Sequence, residues 1–126
     1  MRETVRTDRA PAAVGPYSQA VKAGGTVWVS GQIPLDPATG ALVPGDAEAQ
    51  ARQVLKNLGA ILEAAGSGFD RVVKATVYLT DLDDFDVVNR VYAEFMPSPP
   101  PARACVQVTR LPRGARVEID AVAYSG

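Results

Sequence analysis

Apolar residues recur at helical spacing in the middle of the chain, between Asp46 and Gly66. Charged residues fall on the other side of the helical wheel, so the pattern predicts an amphipathic helix with one buried face. Asp46 is suited to cap the N-terminus of this helix, and Gly66 follows the last apolar position, where a glycine commonly ends a helix. The apolar positions are Ala51, Val54, Leu55, Leu58, Ile61, Leu62 and Ala65.

Strict alternation replaces this pattern after the helix. Apolar and polar residues alternate from Val73 to Thr80, which is typical of a strand with one buried face. Two shorter extended segments, Ser18–Ala23 and Thr26–Ser30, flank Gly24-Gly25, and a pair of glycines suits the two-residue turn of a hairpin. The segment Pro34–Gly45 is rich in proline and glycine and predicts a loop.

A second helical stripe follows the aspartates at positions 81, 83 and 84, whose negative charge suits a helix N-terminus. Pro97 should end this helix. Two further segments, Ala102–Val108 and Ala115–Tyr124, alternate as strands, and we expect Pro112-Arg113-Gly114 to form the turn between them. The apolar positions of the second helix are Phe85, Val88, Tyr92 and Phe95.

The predicted element order is β-β-β-α-β-α-β-β. It indicates a single α+β domain over residues 1–126, with a mixed sheet of about six strands and two helices packed on one face. The other face carries Tyr78, Cys105, Val122 and Tyr124 among polar residues, and it is too apolar in part to lie in water. We therefore expect that face to be buried between the subunits of a homo-oligomer.

The composition narrows the chemistry available to the chain. Its 126 residues include one cysteine, no histidine, and 13 Lys plus Arg against 14 Asp plus Glu. The net charge of −1 argues against nucleic-acid binding, and the lack of histidine excludes Ser-His-Asp and Cys-His triads and imidazole catalysis. No apolar run reaches the roughly 20 residues of a membrane span, and no secretory signal can be recognised, so we expect a cytoplasmic protein without membrane contact.

Neither a metal site nor a cofactor-binding motif can be recognised in the sequence. Gly24-Gly25 and Gly66-Ser67-Gly68 do not match the spacing of phosphate-binding glycine loops. The aspartates at positions 81, 83, 84 and 86 lack the glycine and the distal glutamate of a calcium-binding loop, which favours a role at the helix start. We therefore expect neither a metal nor a cofactor.

Arg103 and Glu118 are the first candidates for chemistry. Arg103 alternates with apolar residues, so we expect it on the less apolar face of the sheet, where its guanidinium could bind a carboxylate. Glu118 would point to the same side if the two strands pair as a hairpin, and a carboxylate in a partly closed site can order or activate a water molecule. Periodicity alone favours the alternative, a structural ion pair of Arg103 with Glu118 or Asp120, or of Glu118 with Arg116.

Four other residues are weaker candidates. Cys105 lies two residues after Arg103, hence on the same face, and without a histidine to activate its thiol it is better interpreted as a small buried residue whose backbone amide matters. Tyr17 and Ser30 could supply hydroxyl groups, although such residues commonly only pack or form turns. Gly31 interrupts an extended segment, which indicates a bulge or a close approach to the backbone.

A series of short motifs occurs in order along the chain. Those in the first half are Gly15-Pro16-Tyr17-Ser18-Gln19-Ala20, Val29-Ser30-Gly31-Gln32-Ile33-Pro34, Asp36-Pro37-Ala38-Thr39-Gly40 and Gln50-Ala51-Arg52-Gln53. Those in the second half are Val87-Val88-Asn89, Pro101-Ala102-Arg103-Ala104-Cys105-Val106, Leu111-Pro112 and Val117-Glu118-Ile119. Together, over nearly the whole chain, these motifs resemble the RidA family of enamine/imine deaminases.

The resemblance implies a chorismate-mutase-like α+β subunit and a homotrimer with a site in each cleft between subunits. It implies hydrolysis of 2-imino acids, such as 2-iminopropanoate and 2-iminobutanoate, to 2-keto acids and ammonia without a cofactor. These imines form by tautomerisation of the enamines 2-aminoacrylate and 2-aminocrotonate. An iminium carbon is already electrophilic, so the protein has mainly to orient the substrate and a water molecule.

The same resemblance implies roles for individual residues. Arg103 would bind the substrate carboxylate, and Glu118 would position the attacking water. Backbone contacts are implied for Gly31 and Cys105, and a place in the lining of the cleft for Tyr17, Ser30 and Asn89.

Two other functions stand beside this one. The first is a trimeric binding or chaperone-like module whose clefts hold small carboxylates without converting them. The second is RNA cleavage or inhibition of translation, which is attributed to some relatives. It fits poorly with the net charge of −1, the lack of a basic run and the lack of a histidine for acid–base cleavage.

Overall fold

Six strands and two helices follow one another in residues 1–125, the part of the chain that the computed structural model describes. The predicted order β-β-β-α-β-α-β-β is confirmed. Short 3₁₀ turns precede β4, α2 and β6. The elements are β1 (Glu3–Val5), β2 (Ala20–Ala23), β3 (Thr26–Gln32), α1 (Ala47–Ala64), β4 (Val72–Leu79), α2 (Phe85–Phe95), β5 (Ala102–Gln107) and β6 (Val117–Tyr124).

The strands form one mixed sheet in the order β1-β2-β3-β6-β4-β5. The predicted hairpin between β5 and β6 is wrong, because β4 lies between them and pairs parallel to β5 and antiparallel to β6. Residues 112–114 instead form a 3₁₀ turn in a connection that crosses β4, with Arg113 in the left-handed region at φ 63°. Turn residues predict that the chain reverses, but they do not state which strand it then joins. β6 lies between β3 and β4 and pairs antiparallel with both, so its backbone groups are hydrogen-bonded on both edges.

One face of the sheet packs against both helices and forms the core. α1 begins and ends as predicted: Asp46 Oδ1 accepts a hydrogen bond from Ala49 N at 3.1 Å, and Gly66 has φ 77° just beyond the last turn. Neither helix in residues 1–125 combines the length and the apolar character that a membrane span requires. The sheet residues buried beneath the helices include Val27, Val29, Ala75, Val77, Val117, Ile119 and Ala121.

The start of β4 departs from strict alternation. Val73 was expected to face the core but is 49% exposed, whereas Val72 is buried. The register between β4 and β6 shifts between Val72 and Lys74, so an irregularity turns one side chain outward before regular alternation begins at Ala75. The alternation of apolar and polar residues along β4 could not predict this irregularity, because it arises where β4 pairs with β6.

Of the aspartates before α2, Asp81 caps the 3₁₀ turn that precedes the helix, and Asp84 pairs with Arg116 without capping α2. Asp81 Oδ1 accepts a hydrogen bond from Asp83 N at 2.9 Å. Asp84 accepts from Arg116 through both carboxylate oxygens, at 2.9 and 3.0 Å. Among residues 1–125, no group of three or more Cys, Asp or Glu side chains is arranged to hold a metal ion.

The second face of the sheet, here called the open face, is not covered by a helix. Trp28, Val106 and Tyr124 are 54%, 43% and 49% exposed on it. Strand alternation also places Tyr78 and Val122 there, as predicted. Cys105 was wrongly assigned to this face: it pairs in register with the buried Val77 and packs against the core on the helix side.

The side chain of Gln19 forms hydrogen bonds with the backbone of the N-terminal segment. It is 3% exposed; its Oε1 accepts from Thr7 N at 2.7 Å, and its Nε2 donates to Pro11 O at 2.8 Å. Gln19→Leu would leave these backbone groups without partners, so we expect the free energy of unfolding to fall by about 1–3 kcal/mol. Urea denaturation at fixed protein concentration measures this loss, and an unchanged midpoint would contradict it.

Candidate active site

A cavity of about 590 Å³, here called the Glu118 cavity, is lined by Tyr17, Ser30, Gly31, Arg113 and Glu118. Val117 and Ile119 on either side of Glu118 are fully buried beneath the helices, so alternation puts Glu118 on the open face. The rest of the lining consists of two glutamines and six apolar residues: Gln19, Gln32, Pro11, Ala12, Val14, Ile33, Leu35 and Pro112. A small substrate would thus meet one carboxylate and the guanidinium of Arg113 in largely apolar surroundings.

Gly31 lies directly against the carboxylate of Glu118. The register of β3 with β6 shifts between Val29 and Gln32, and Gly31 falls within this irregularity. A Cβ atom at Gly31 would overlap Glu118 Oε2 and lie 2.9 Å from Glu118 Cδ, so no larger residue fits unless the carboxylate moves. The close approach predicted for Gly31 is confirmed, and the approaching group is Glu118.

The surroundings of Glu118 disfavour its charge. Burial raises the pKa of Glu118, and the negative charge of Asp120 raises it further. No ion pair reaches Glu118 among residues 1–125: Arg116 pairs with Asp84, and Arg103 bonds to Asn89. The structural ion pairs considered for Glu118 are therefore wrong, and its carboxylate faces the cavity.

The raised pKa of Glu118 has a consequence for stability. Between the unfolded and the folded pKa the folded protein binds more protons, so stability falls as the pH rises through that range and stays lower above it. We therefore expect Glu118→Gln to raise the midpoint of thermal unfolding near neutral pH. The difference should vanish below the pKa of an unfolded glutamate, about 4.3. A variant no more stable than wild type at neutral pH would contradict this cause of the shift.

A second pocket, of about 520 Å³, lies beside Arg103 on the helix side of the sheet and is here called the Arg103 pocket. Arg103 pairs in register with Ala75, which is buried beneath the helices, so its predicted place on the less apolar face is wrong. The lining also includes Asn89, Tyr92, Met96 and Pro101. Sequence alternation on β5 was misleading because β5 is an edge strand, on which the apolar Val106 lies on the open face.

The guanidinium of Arg103 is held without being neutralised. Its Nη1 donates to Asn89 Oδ1 at 2.8 Å, and its Cζ lies 4.9 Å from the ring centroid of Tyr92 and 5.6 Å from that of Phe85. No carboxylate of residues 1–125 pairs with it, so the predicted alternative of an ion pair with Glu118 or Asp120 is wrong. Aromatic faces and an amide oxygen attract a cation but leave its charge available to an anion.

Of the remaining candidates, Tyr17 and Ser30 line the Glu118 cavity, whereas Cys105 lines neither pocket. Ser30 Oγ donates to Ser18 O at 2.6 Å, and Tyr17 Oη accepts from Val14 N at 3.3 Å, both beside the Glu118 cavity. Cys105 follows Arg103 on the helix side and is half-buried. Burial raises the pKa of its thiol more than the charge of Arg103 lowers it, so the thiol stays protonated near neutral pH.

The two pockets do not meet within one chain. They share no lining residue, and Arg103 and Glu118 lie on opposite faces of the sheet, which corrects the expectation that both point to one side. Sequence reasoning also missed Phe85 and Tyr92, which it assigned to the apolar stripe of α2. Their spacing with Asn89 on one helix face was visible, but not that this face meets Arg103.

The family model described as endoribonuclease L-PSP matches residues 7–125. The chain belongs to this family. The 2-iminobutanoate/2-iminopropanoate deaminase of Mus musculus is 53% identical to this chain over 126 residues, which cover 100% of this chain and 93% of the mouse protein.

Solved structures of similar proteins share this fold over nearly the whole chain. The crystal structure of RidA from an Antarctic Psychrobacter has a TM-score of 0.93 at 54% identity and covers 97% of this chain and 98% of its own. That of E. coli TdcF with bound serine has a TM-score of 0.92 at 44% identity and covers 98% and 99%. The resemblance to RidA and the predicted fold class are confirmed.

Proposed function

We propose that this protein hydrolyses 2-imino acids to 2-keto acids and ammonia, in clefts that join the Arg103 pocket of one subunit to the Glu118 cavity of the next in a homotrimer. Full-length relatives that are named 2-iminobutanoate/2-iminopropanoate deaminases support the reaction. The family description names an endoribonuclease, which the net charge of −1 and the lack of histidine do not favour.

One observation carries the proposal: Arg103 is oriented by three neighbours and paired with no carboxylate among residues 1–125. A guanidinium has five N–H donors in a planar fork, and the contact with Asn89 uses one of them. The others can bind both oxygens of a small carboxylate. A 2-imino acid carries such a carboxylate next to its reactive carbon.

The opposite placement of Arg103 and Glu118 supports a site between subunits. A substrate of this size has to contact both residues at once, which one chain does not allow. The open face carries Trp28, Val106 and Tyr124 and offers the apolar surface that a permanent interface requires. A cyclic trimer would repeat the same junction between each pair of neighbours.

Catalysis then needs only one protein base. Ionised Glu118 accepts a proton from a water molecule as the oxygen of that water bonds to the iminium carbon, giving a carbinolamine. Glu118 returns the proton to nitrogen, the C–N bond breaks, and ammonia leaves with the hydroxyl proton as ammonium, so that a 2-keto acid remains. Burial raises the pKa of Glu118, which brings the strength of this base closer to neutral pH.

The reaction can be tested with an imine made in situ by an amino-acid oxidase and trapped as its semicarbazone. The protein should lower the yield of semicarbazone in proportion to its concentration, because it removes the imine before the trap does. Binding of 2-ketobutyrate without faster decay of the imine would instead support the carboxylate-binding module. Equal yields with and without protein would refute the deaminase.

Gly31→Ala should displace the catalytic carboxylate without removing it. Since the added Cβ would overlap Glu118 Oε2, we expect kcat to fall by about tenfold or more, a loss typical of a displaced catalytic group. Binding of 2-ketobutyrate at Arg103 should change little. A variant with wild-type kcat would contradict the proposed position of Glu118.

A further inference from the structure

Three residues on one face of α2 contact the side chain of Arg103. Phe85, Asn89 and Tyr92 are spaced four and three residues apart, so they follow one another along the same side of the helix. Each of them contacts the guanidinium, two through a ring face and one through an amide oxygen. Core packing alone does not explain these contacts, because Arg103 lies on an edge strand and is exposed instead of belonging to the core.

We propose that Phe85 and Tyr92 are positioning residues, whose rings hold the guanidinium of Arg103 in the orientation that receives the substrate carboxylate. This inference rests on the proposed function. An exposed arginine side chain samples many rotamers, and the loss of that freedom opposes binding. A guanidinium that is already held in place loses less rotamer freedom when the substrate binds, so the substrate binds more tightly.

Aromatic rings suit this role because they consume no N–H group. An acidic neighbour would also hold Arg103, but it would occupy the donors that the substrate carboxylate needs. A ring attracts the cation through the electrons of its face and leaves the edges of the planar fork open. Phe85 and Tyr92 therefore orient Arg103 without competing with the substrate.

The hydroxyl group of Tyr92 takes no part in this contact. Tyr92 is 5% exposed, and its Oη is buried without a hydrogen-bond partner among residues 1–125. Burial raises the pKa of Tyr92 despite the opposing charge of Arg103, so the ring stays neutral and no tyrosinate competes for the cation. A phenylalanine should thus replace Tyr92 in holding the guanidinium, and it would remove an unsatisfied polar group.

The test compares Tyr92→Leu with Tyr92→Phe in the full-length protein. We expect Tyr92→Leu to weaken 2-ketobutyrate binding by about three- to tenfold, the range of a partly exposed cation–π contact, and to raise KM more than it lowers kcat. Tyr92→Phe should restore the affinity. Phe69→Leu is the matched control, because Phe69 packs on Phe95 at 5.8 Å instead of on Arg103. It should lower the unfolding midpoint and leave the dissociation constant unchanged.

Two further measurements separate positioning from packing. The double variant Tyr92→Leu/Arg103→Ala should bind 2-ketobutyrate no more weakly than Arg103→Ala alone, because Tyr92 affects binding only by holding Arg103. In the protein without ligand, NMR relaxation of the Arg103 Nε–Hε group should show an ordered side chain in wild type and a mobile one in Tyr92→Leu.

The outcomes also distinguish the two proposals. Loss of affinity in Arg103→Ala, together with unchanged affinity and an ordered guanidinium in Tyr92→Leu, would overturn the positioning role and leave the deaminase intact. Failure of wild type to accelerate imine decay would overturn the deaminase. The NMR comparison would then still decide whether Tyr92 holds Arg103.

Discussion

Arg103→Ala is expected to lower kcat/KM for 2-iminobutanoate by about 100-fold or more, the loss typical when a charged partner of a bound ion is removed. Alanine cannot bind the substrate carboxylate, and no other residue of the Arg103 pocket carries a positive charge. Binding of 2-ketobutyrate, measured by calorimetry, should weaken in parallel. The loss should therefore appear in both the kinetic constant and the affinity.

Arg90→Ala is the matched control for this variant. Arg90 lies on the same helix that supports Arg103, but its guanidinium is directed to Glu48 on α1, at 3.5 Å, and is largely exposed. An exposed pair of this kind contributes little to stability, so activity and affinity should stay near wild type. Comparable activity of Arg103→Ala and Arg90→Ala would contradict the role of Arg103.

Glu118→Gln is expected to lower kcat by about 100- to 10,000-fold, the contribution typical of a positioned general base. Glutamine fills the same space and accepts hydrogen bonds, but it cannot take a proton from water. Because the carboxylate of the substrate is bound at Arg103, the dissociation constant for 2-ketobutyrate should change little. Single-turnover assays of imine decay would separate this loss of chemistry from binding.

Glu63→Gln provides the control for Glu118→Gln. Glu63 is exposed and paired with Arg9 at 2.9 Å, away from both pockets that form the proposed site. Its variant should be fully active. A Glu118→Gln protein that is inactive and yet more stable near neutral pH would identify Glu118 as a residue kept for chemistry at a cost in stability. Wild-type kcat in Glu118→Gln would exclude it as the base.

The elements whose form depends on local spacing could be predicted from the sequence. α1 has its apolar stripe, its cap at Asp46 and its terminal glycine at Gly66, and each of these signals acts within a few residues. The turn at Gly24-Gly25 is equally local, since both glycines adopt positive φ, at 57° and 81°. The residues that determine this helix and this turn lie within the helix and the turn themselves, so the sequence predicts both.

The side of the sheet on which Arg103 and Cys105 lie could not be predicted. Alternation states which residues share a face but not which face is covered, and the pairing of β5 with β4 decides that. The wrong hairpin between β5 and β6 led directly to the wrong placement of Arg103 beside Glu118. The contact of Tyr92 with Arg103 was missed for the same reason, because it depends on where β5 joins the sheet.

The central claim is that each site takes Arg103 from one subunit and Glu118 from its neighbour. It is tested most directly by forming mixed trimers from Arg103→Ala and Glu118→Gln subunits, each nearly inactive alone. In a random equal mixture, about one quarter of the junctions between neighbours would combine an intact Arg103 with an intact Glu118, so about one quarter of wild-type activity should return. A mixture as inactive as its parents would show that the two residues do not act across a subunit boundary.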